Sequence, residues 1–170
     1  TLEELLDLEV ESVSRAPELA SEAAASIHVI TDRDIRRSGA RSIPEALRLA
    51  PNLQVAQTAS RSWAISARGF NASFANKLLV MIDGRTVYSP LFSGVFWDMQ
   101  DTLLEDIDRI EVISGPGAIA WGANAVNGVI NIVTKRAQDT LGLLAMVGGG
   151  TEERSTAAAR YGGAAGEKQA

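Results

Sequence analysis

The stretch that decides the fold spans residues 111–135 and reads EVISGPGAIAWGANAVNGVINIVTK. From Val112 to Thr134 it carries no charged residue. A membrane-spanning helix needs about 20 mainly apolar residues, and the length fits. The content does not. Gly115, Pro116, Gly117, Gly122 and Gly128 punctuate the stretch, and Asn124, Asn127 and Asn131 add polar amides. Each interior glycine costs a helix roughly 1 kcal/mol relative to alanine, so a spanning helix is rejected.

A phosphate-cradling loop is the second reading. RIEVIS reads as a strand, and a Gly-rich loop follows it. A dinucleotide fingerprint wants G-x-G-x-x-G opening a helix. Gly115 and Gly117 supply the first two glycines, but Ala120 stands in place of the third. No Gly-Lys-Ser/Thr follows, which excludes a P-loop. Asn127-Gly128 is a turn signal, and VINIVT is a second, β-branched strand. The plainer reading is that residues 115–127 join two strands by a tight, irregular connection with at most one helical turn.

Outward from this stretch, the chain of 170 residues is long enough for one domain with a sizeable core. Hydrophobic residues at 46% and charged residues at 22% describe ordinary globular composition. A net charge of −5 argues against a nucleic-acid binder, which needs a basic face. The absence of cysteine removes disulfides, thiolate metal sites and cysteine nucleophiles. His28 is the sole histidine, so a metal or catalytic role has no partner histidine or cysteine, and a Ser-His-Asp set would have to use His28 with no nucleophile elbow to support it. No cofactor or metal is expected. The chain opens at Thr1 in a charged stretch with no signal peptide, and is read as a processed or excised piece.

Along the chain, SIHVIT is a strand, and Thr31 caps a helix with Asp34 as capping-box partner and Gly39 as terminator. Ser42 and Glu45 repeat the box. Ile43, Ala46, Leu47 and Ala50 share an apolar face, and Pro51 stops the helix. LQVAQ and WAISARG read as strands. Asp83-Gly84 between LLVMI and RTVY predicts a hairpin with a type I′ turn. SPLFSGVFWDMQD is an aromatic-rich loop, and LLEDIDRIEVIS a helical turn leading into a strand. The acidic group Asp101, Glu105, Asp106, Asp108 and Glu111 reads as a solvated helix start. The tail, LGLLAMVGGGTEERSTAAARYGG, has two strand-like runs around a polar turn. Ala157, Ala159 and Tyr161 alternate with Thr156, Ala158 and Arg160, a pattern that suits a transmembrane β-barrel strand.

SIHVITDRDIRRSGARSIPEALRLAPNLQV, ISARGFN, LLVMIDGRTVY and DIDRIEVISGPGAIAWGANAVNGVINIVTK occur in this order. Together they closely resemble the plug domain of TonB-dependent outer-membrane receptors. The resemblance implies an α+β fold: a small mixed β-sheet with short helices, followed by the first strands of a truncated transmembrane β-barrel. It places an N-terminal arm at 1–17, the plug at 18–137 and the first barrel hairpin at 138–170. It implies a gate, not an enzyme, inside a barrel in the bacterial outer membrane, with a periplasmic N-terminus. The implied partners are TonB with ExbB and ExbD, the chain's own barrel, and a scarce solute such as an iron chelate or cobalamin.

The same resemblance assigns site residues. The loops after ARG, around DG and after GPG face the ligand, which selects Arg61, Trp63, Phe70, Asn71, Phe74, Asp83, Gly84, Arg85 and Trp121. Arg68 and Ser114 fall at the plug–barrel contact. Ser114 is a departure, since plugs of this kind often carry arginine there, and serine cannot make a bidentate charged contact. Leu8, Glu9, Val10, Glu11, Ser12 and Val13 form either the TonB-coupling segment, pairing as an added strand, or simply a first plug strand or frayed terminus. Two other readings stay open: a soluble α/β nucleotide-binding enzyme using the Gly115 loop, and a stand-alone periplasmic interaction domain.

Overall fold

The computed structural model describes residues 9–10, 18–19, 26–74, 77–115, 121–122, 124–151 and 154–163. The chain divides into two compact units, Thr1–Thr134 and Lys135–Ala170.

The first unit opens with β1 (Glu9–Val10) and β2 (Glu18–Leu19), which pair antiparallel. β3 (Ser26–Thr31) runs into α1 (Asp32–Ser38) through the expected capping box. Thr31 Oγ1 accepts from the Asp34 amide at 3.2 Å, and the Thr31 amide donates back to the Asp34 carboxylate at 3.0 Å. Gly39 ends the helix at φ 70, a left-handed conformation that glycine adopts without steric cost.

The second box does not close. α2 (Ile43–Ala46) is a single turn followed by a 3₁₀ turn (Leu47–Leu49), and the Ser42 side chain caps nothing. Glu45 instead accepts from the Arg41 amide at 2.8 Å, one residue before the expected donor. The apolar face is as expected, with Ile43, Ala46, Leu47 and Ala50 all buried.

β4 (Leu53–Gln57) and β5 (Trp63–Ala67) form a separate antiparallel pair. The strand read through Gly69 ends at Ala67, because Arg68, Gly69 and Phe70 all take positive φ. β6 (Leu78–Ile82), β7 (Arg85–Thr86), β8 (Ile107–Ser114) and β9 (Gly128–Thr134) complete the first unit. With β3 they make a five-stranded sheet of order β3-β8-β9-β6-β7. β6 and β9 are parallel and the other neighbours antiparallel, so the sheet is mixed. β8 and β9, the two strands inside the opening stretch, are antiparallel neighbours. A dinucleotide fold instead needs a parallel pair joined through a helix, so the nucleotide-binding alternative loses its topology.

Strand alternation sorts the sheet's two faces. Ile30, Ile110, Val112, Ile130, Ile132, Leu78 and Val80 pack beneath α1, α2 and β5. Leu79, Met81, Ile113 and Val129 form a second cluster with Ala125, Ile27 and Trp121. With both faces covered, β8 buries its acid as well. Glu111 is not the solvated residue expected from the acidic run but is fully buried, and Arg109 Nε donates to its carboxylate at 2.8 Å. Arg109 also bonds Asp108 at 2.8 Å. Burial would lower the Arg109 pKa, yet Glu111 and Asp108 outweigh it and hold the guanidinium above its ordinary range.

The second unit is a hairpin of β10 (Gly142–Gly148) and β11 (Thr156–Gly162). Opposed pairs Leu143–Tyr161, Ala145–Ala159 and Val147–Ala157 put six apolar residues on one face. Leu143 (75%), Val147 (89%) and Tyr161 (79%) on that face are strongly exposed. Among the described residues no helix is long and apolar enough to cross a membrane, which leaves strands such as these untouched as candidates.

Candidate functional site

The pairing registers fix which loops meet. β6 and β9 end together at Ile82 and Ile132, and β8 starts at the same end, with Ile107 opposite Thr134. The opposite end carries Leu78, Gly128, Ser114 and Ser26. The predicted ligand-facing residues are therefore split between locations.

The first group gathers in a shallow concavity lined by Arg61, Ser62, Trp63, Ser73, Phe74, Val95, Phe96, Trp97 and Asp98. Arg61 projects from the β4–β5 turn, which the Thr58 amide closes onto the Ser62 carbonyl at 2.9 Å. Trp63 is a buried base with the Arg48 guanidinium 5.2 Å from its ring centroid. Phe74 stacks on Phe92, with centroids 6.1 Å apart, and meets Phe96 edge-on at 5.7 Å. Phe70 is exposed beyond it, with the Lys77 ammonium 5.3 Å from its ring. Its φ of 57 places a bulky residue in the left-handed region, an uncommon and costly state. Asn71 is exposed in the same loop. Sequence reasoning placed Arg61, Trp63 and Phe74 here and missed Asp98 and Ser73. It noted Phe92, Phe96 and Trp97 only as aromatics, because nothing local says which loops touch.

The second group does not join them. Asp83 and Gly84 take φ of 50 and 74, the two positive angles of the type I′ turn, at the Thr134 end of the sheet. The Asp83 carboxylate accepts from the Thr134 amide at 2.8 Å and from its hydroxyl at 2.9 Å. Gly84 and Arg85 are exposed beside it. Trp121 packs into the second apolar cluster rather than into the concavity.

Arg68 reaches the residue after Ser114. A Cβ placed on Gly115 would lie 3.7 Å from Arg68 Nη2, so the guanidinium covers the glycine that follows Ser114. Ser114 Oγ is buried with no hydrogen-bond partner among the described residues. In the arm, Glu9 and Val10 pair with Leu19 and Glu18, and Val10 is fully buried. Leu8, Glu11, Ser12 and Val13 lie outside the described residues, as do Pro116, Gly117 and Ala120. His28 sits on β3 opposite Val112, and among the described residues no group of three His, Cys, Asp or Glu could hold a metal.

Comparison with known proteins agrees with this geometry. Residues 20–129 match the family model for the TonB-dependent receptor plug domain. The chain is 30% identical over 153 residues to a vitamin B12 transporter, BtuB, of Vibrio vulnificus, covering 89% of this chain and 24% of that protein. The match to BtuB of Vibrio cholerae is also 30%, over 94% of this chain and 26% of the relative. The chain thus spans about a quarter of the length of these curated relatives. Among solved structures, the pyoverdine outer-membrane receptor FpvA of Pseudomonas aeruginosa superposes with a TM-score of 0.66 at 21% identity, over 85% of this chain and 20% of that one. The ferric yersiniabactin uptake receptor FyuA of Yersinia pestis gives 0.58 at 22%, over 81% and 21%. These two likenesses establish the fold.

Proposed function

The chain belongs to the TonB-dependent receptor plug domain family, and from that premise we propose that it is the gate of an outer-membrane active-transport receptor. The receptor binds a scarce solute, an iron chelate or cobalamin, and imports it with energy passed by TonB, ExbB and ExbD. The plug, 18–137, lies in the lumen of a barrel that begins with β10 and β11, and the arm, 1–17, faces the periplasm. One observation carries the reading: a plug fold is followed directly by a hairpin whose one face is wholly apolar and exposed. Such a face in water is a liability, and in lipid it is the outward band of a transmembrane barrel.

Within this reading the concavity of Arg61, Trp63 and Phe74 is the ligand floor. Asp83, Gly84 and Arg85 take a scaffold role, since the Asp83 carboxylate is already engaged. Arg68, with no ion-pair partner among the described residues, faces a barrel carboxylate in place of the missing second arginine. The arm couples to TonB once Glu9 and Val10 leave β2, because their pairing there occupies one strand edge.

The test uses the full-length receptor in cells with and without TonB, measuring uptake of labelled cyanocobalamin and of ferric siderophores. Saturable uptake that vanishes without TonB is expected. Val10→Pro, which removes a backbone donor, should abolish uptake and spare binding, and Arg68→Ala should raise passive leakage of large antibiotics. Uptake indifferent to TonB, or no uptake of any metal chelate, would overturn the reading.

A further inference from the structure

Six asparagines occur in the sequence, and one of them, Asn127, is followed by glycine. The pairing matters chemically. A backbone amide nitrogen can attack the side-chain carbonyl carbon of the asparagine before it, and glycine has no side chain to obstruct the approach. Leu53, Ala72, Lys77, Ala125 and Ile132 follow the other five asparagines and stand in the way. Asp83-Gly84 is the corresponding aspartate pair. There the Thr134 amide and hydroxyl hold one carboxylate oxygen each, at 2.8 and 2.9 Å, and a carboxylate is a poor electrophile. The Asn127 side chain is half-buried and makes no hydrogen bond among the described residues.

The fold can neither dispense with the pair nor leave it loose. A Cβ on residue 128 would stand 2.4 Å from the Ile113 carbonyl oxygen, so glycine is required there. The peptide groups on both sides of Asn127 are clamped. The Asn127 amide donates to the Lys77 carbonyl at 2.9 Å, and the Asn127 carbonyl accepts from the Gly115 amide at 3.1 Å. These two bonds tie the end of β8 and the approach to β6 to the start of β9. The second bond also fixes the planar peptide group that contains the Gly128 nitrogen. Ring closure requires that plane to turn until the nitrogen faces the side-chain carbon, which breaks the bond to Gly115.

We propose that Asn127 is a deamidation site whose reaction is gated by opening of this end of the sheet. In the opened state the Gly128 nitrogen bonds to the Asn127 side-chain carbon and gives up its proton to solvent. The side-chain amide leaves as ammonia, and a succinimide ring closes. Water then opens the ring at either carbonyl, leaving aspartate or isoaspartate; nothing is oxidised or reduced. Isoaspartate adds one carbon to the backbone path and puts a carboxylate into a stretch that is otherwise uncharged from Val112 to Thr134. The longer path separates the amide held by Lys77 from the carbonyl held by Gly115, so the two bonds no longer share one geometry. A buried charge without a partner opposes reclosure further. The product therefore favours the opened state from which it formed, and the modification is an irreversible ageing step.

The experiment incubates the purified full-length receptor in detergent at neutral pH and follows each asparagine by peptide mapping. The amide-to-acid mass gain reads deamidation, and labelling by protein-isoaspartate methyltransferase identifies isoaspartate. The same receptor unfolded in guanidinium is the reference, and there Asn127 should convert first. In the folded receptor its rate should fall at least about tenfold, because the opened fraction alone reacts. Asn71, exposed in a loop, is the internal control and should change by less than about threefold. Glu111→Ala should accelerate conversion at Asn127 by the factor by which it accelerates amide exchange at Val129. Guanidinium below the unfolding midpoint gives the same comparison without a substitution, should that variant not fold. Three results would overturn the proposal: another asparagine converting first in the unfolded receptor, equal rates at Asn127 folded and unfolded, or an unchanged rate at Asn127 where exchange at Val129 has risen.

Discussion

Asp83→Ala isolates the clasp that ties the β6–β7 turn to the end of β9. The native carboxylate takes two hydrogen bonds, from the Thr134 amide at 2.8 Å and the Thr134 hydroxyl at 2.9 Å. Bonds to a charged acceptor contribute about 1.5–3 kcal/mol each when sheltered. Both are exposed, so water replaces part of each, and about 1 kcal/mol apiece is the appropriate figure. Asp83 also stands at φ 50, where alanine is less at ease than aspartate. The sum is about 2 kcal/mol, close to a thirtyfold rise in local opening at ~1.4 kcal/mol per decade. Hydrogen exchange on the full-length receptor reads this directly, in the peptide that contains Ile132 to Thr134, after correction for intrinsic rates. Asp83→Asn should recover most of the protection, since its amide oxygen can accept from the Thr134 amide and asparagine tolerates positive φ. The reasoning fails if Asp83→Ala exchanges within twofold of wild type, or if Asn and Ala behave alike.

Other perturbations follow from the same structure. Glu111→Ala leaves the Arg109 guanidinium, among the described residues, with the exposed Asp108, and should cost about 3 kcal/mol in plug stability by denaturant midpoint, at the low end for breaking a buried pair. Glu111→Gln should fall between the two. Gly128→Ala would put a Cβ 2.4 Å from the Ile113 carbonyl oxygen, a backbone atom that cannot swing away. It should therefore unpair the β8–β9 start and cost at least about 1–3 kcal/mol, with faster exchange at Val129 and Ser114; native-like exchange there would contradict the register. Thr31→Ala removes a helix cap and should cost about 1 kcal/mol. The Thr31 hydroxyl bond is also the chief cause that depresses the Asp34 pKa below 3.8. A depressed folded-state pKa adds stability above the unfolded value, lost as pH falls through the folded one. The variant should thus lose part of its stability's dependence on pH below about 4, measured as the midpoint difference between neutral and acid titrations.

Much of the fold was legible because its signals are local. The Thr31–Asp34 box, the left-handed Gly39 cap and the Asp83-Gly84 turn each rest on residues within a few positions of one another, and each formed as read. The second box did not close over the same short range: the first turn forms, with the Ala46 amide donating to the Ser42 carbonyl at 3.0 Å, but the Glu45 carboxylate is taken by the Arg41 amide and the Ser42 side chain makes no cap bond. The misreadings of the site were of another kind. Glu111 looked solvated because it follows Asp106 and Asp108, but its fate depends on β8 lying between β3 and β9, which no local pattern states. The contact of Phe74 with Phe92 and Phe96 joins two loops separated by the whole of β6 and β7.

The placement of Asp83 shows most clearly where local reading stops. The turn type was evident from two residues, yet its position follows from β6 lying parallel to β9. In an antiparallel pair Ile82 would sit opposite the start of β9, and the Asp-Gly turn would join Arg68 and Gly115 at the other end. Parallel pairing instead delivers the turn to the last residues of β9, where Thr134 is free to donate twice. That end of the sheet is also where the first unit gives way to the second, at Lys135. The clasp therefore stiffens the point from which the chain leaves the plug, while the floor of Arg61, Trp63 and Phe74 is built separately on the β4–β5 pair and the long loop after β7. The clasp and the concavity thus stand on different parts of the first unit, and a change at one leaves the hydrogen bonds of the other in place.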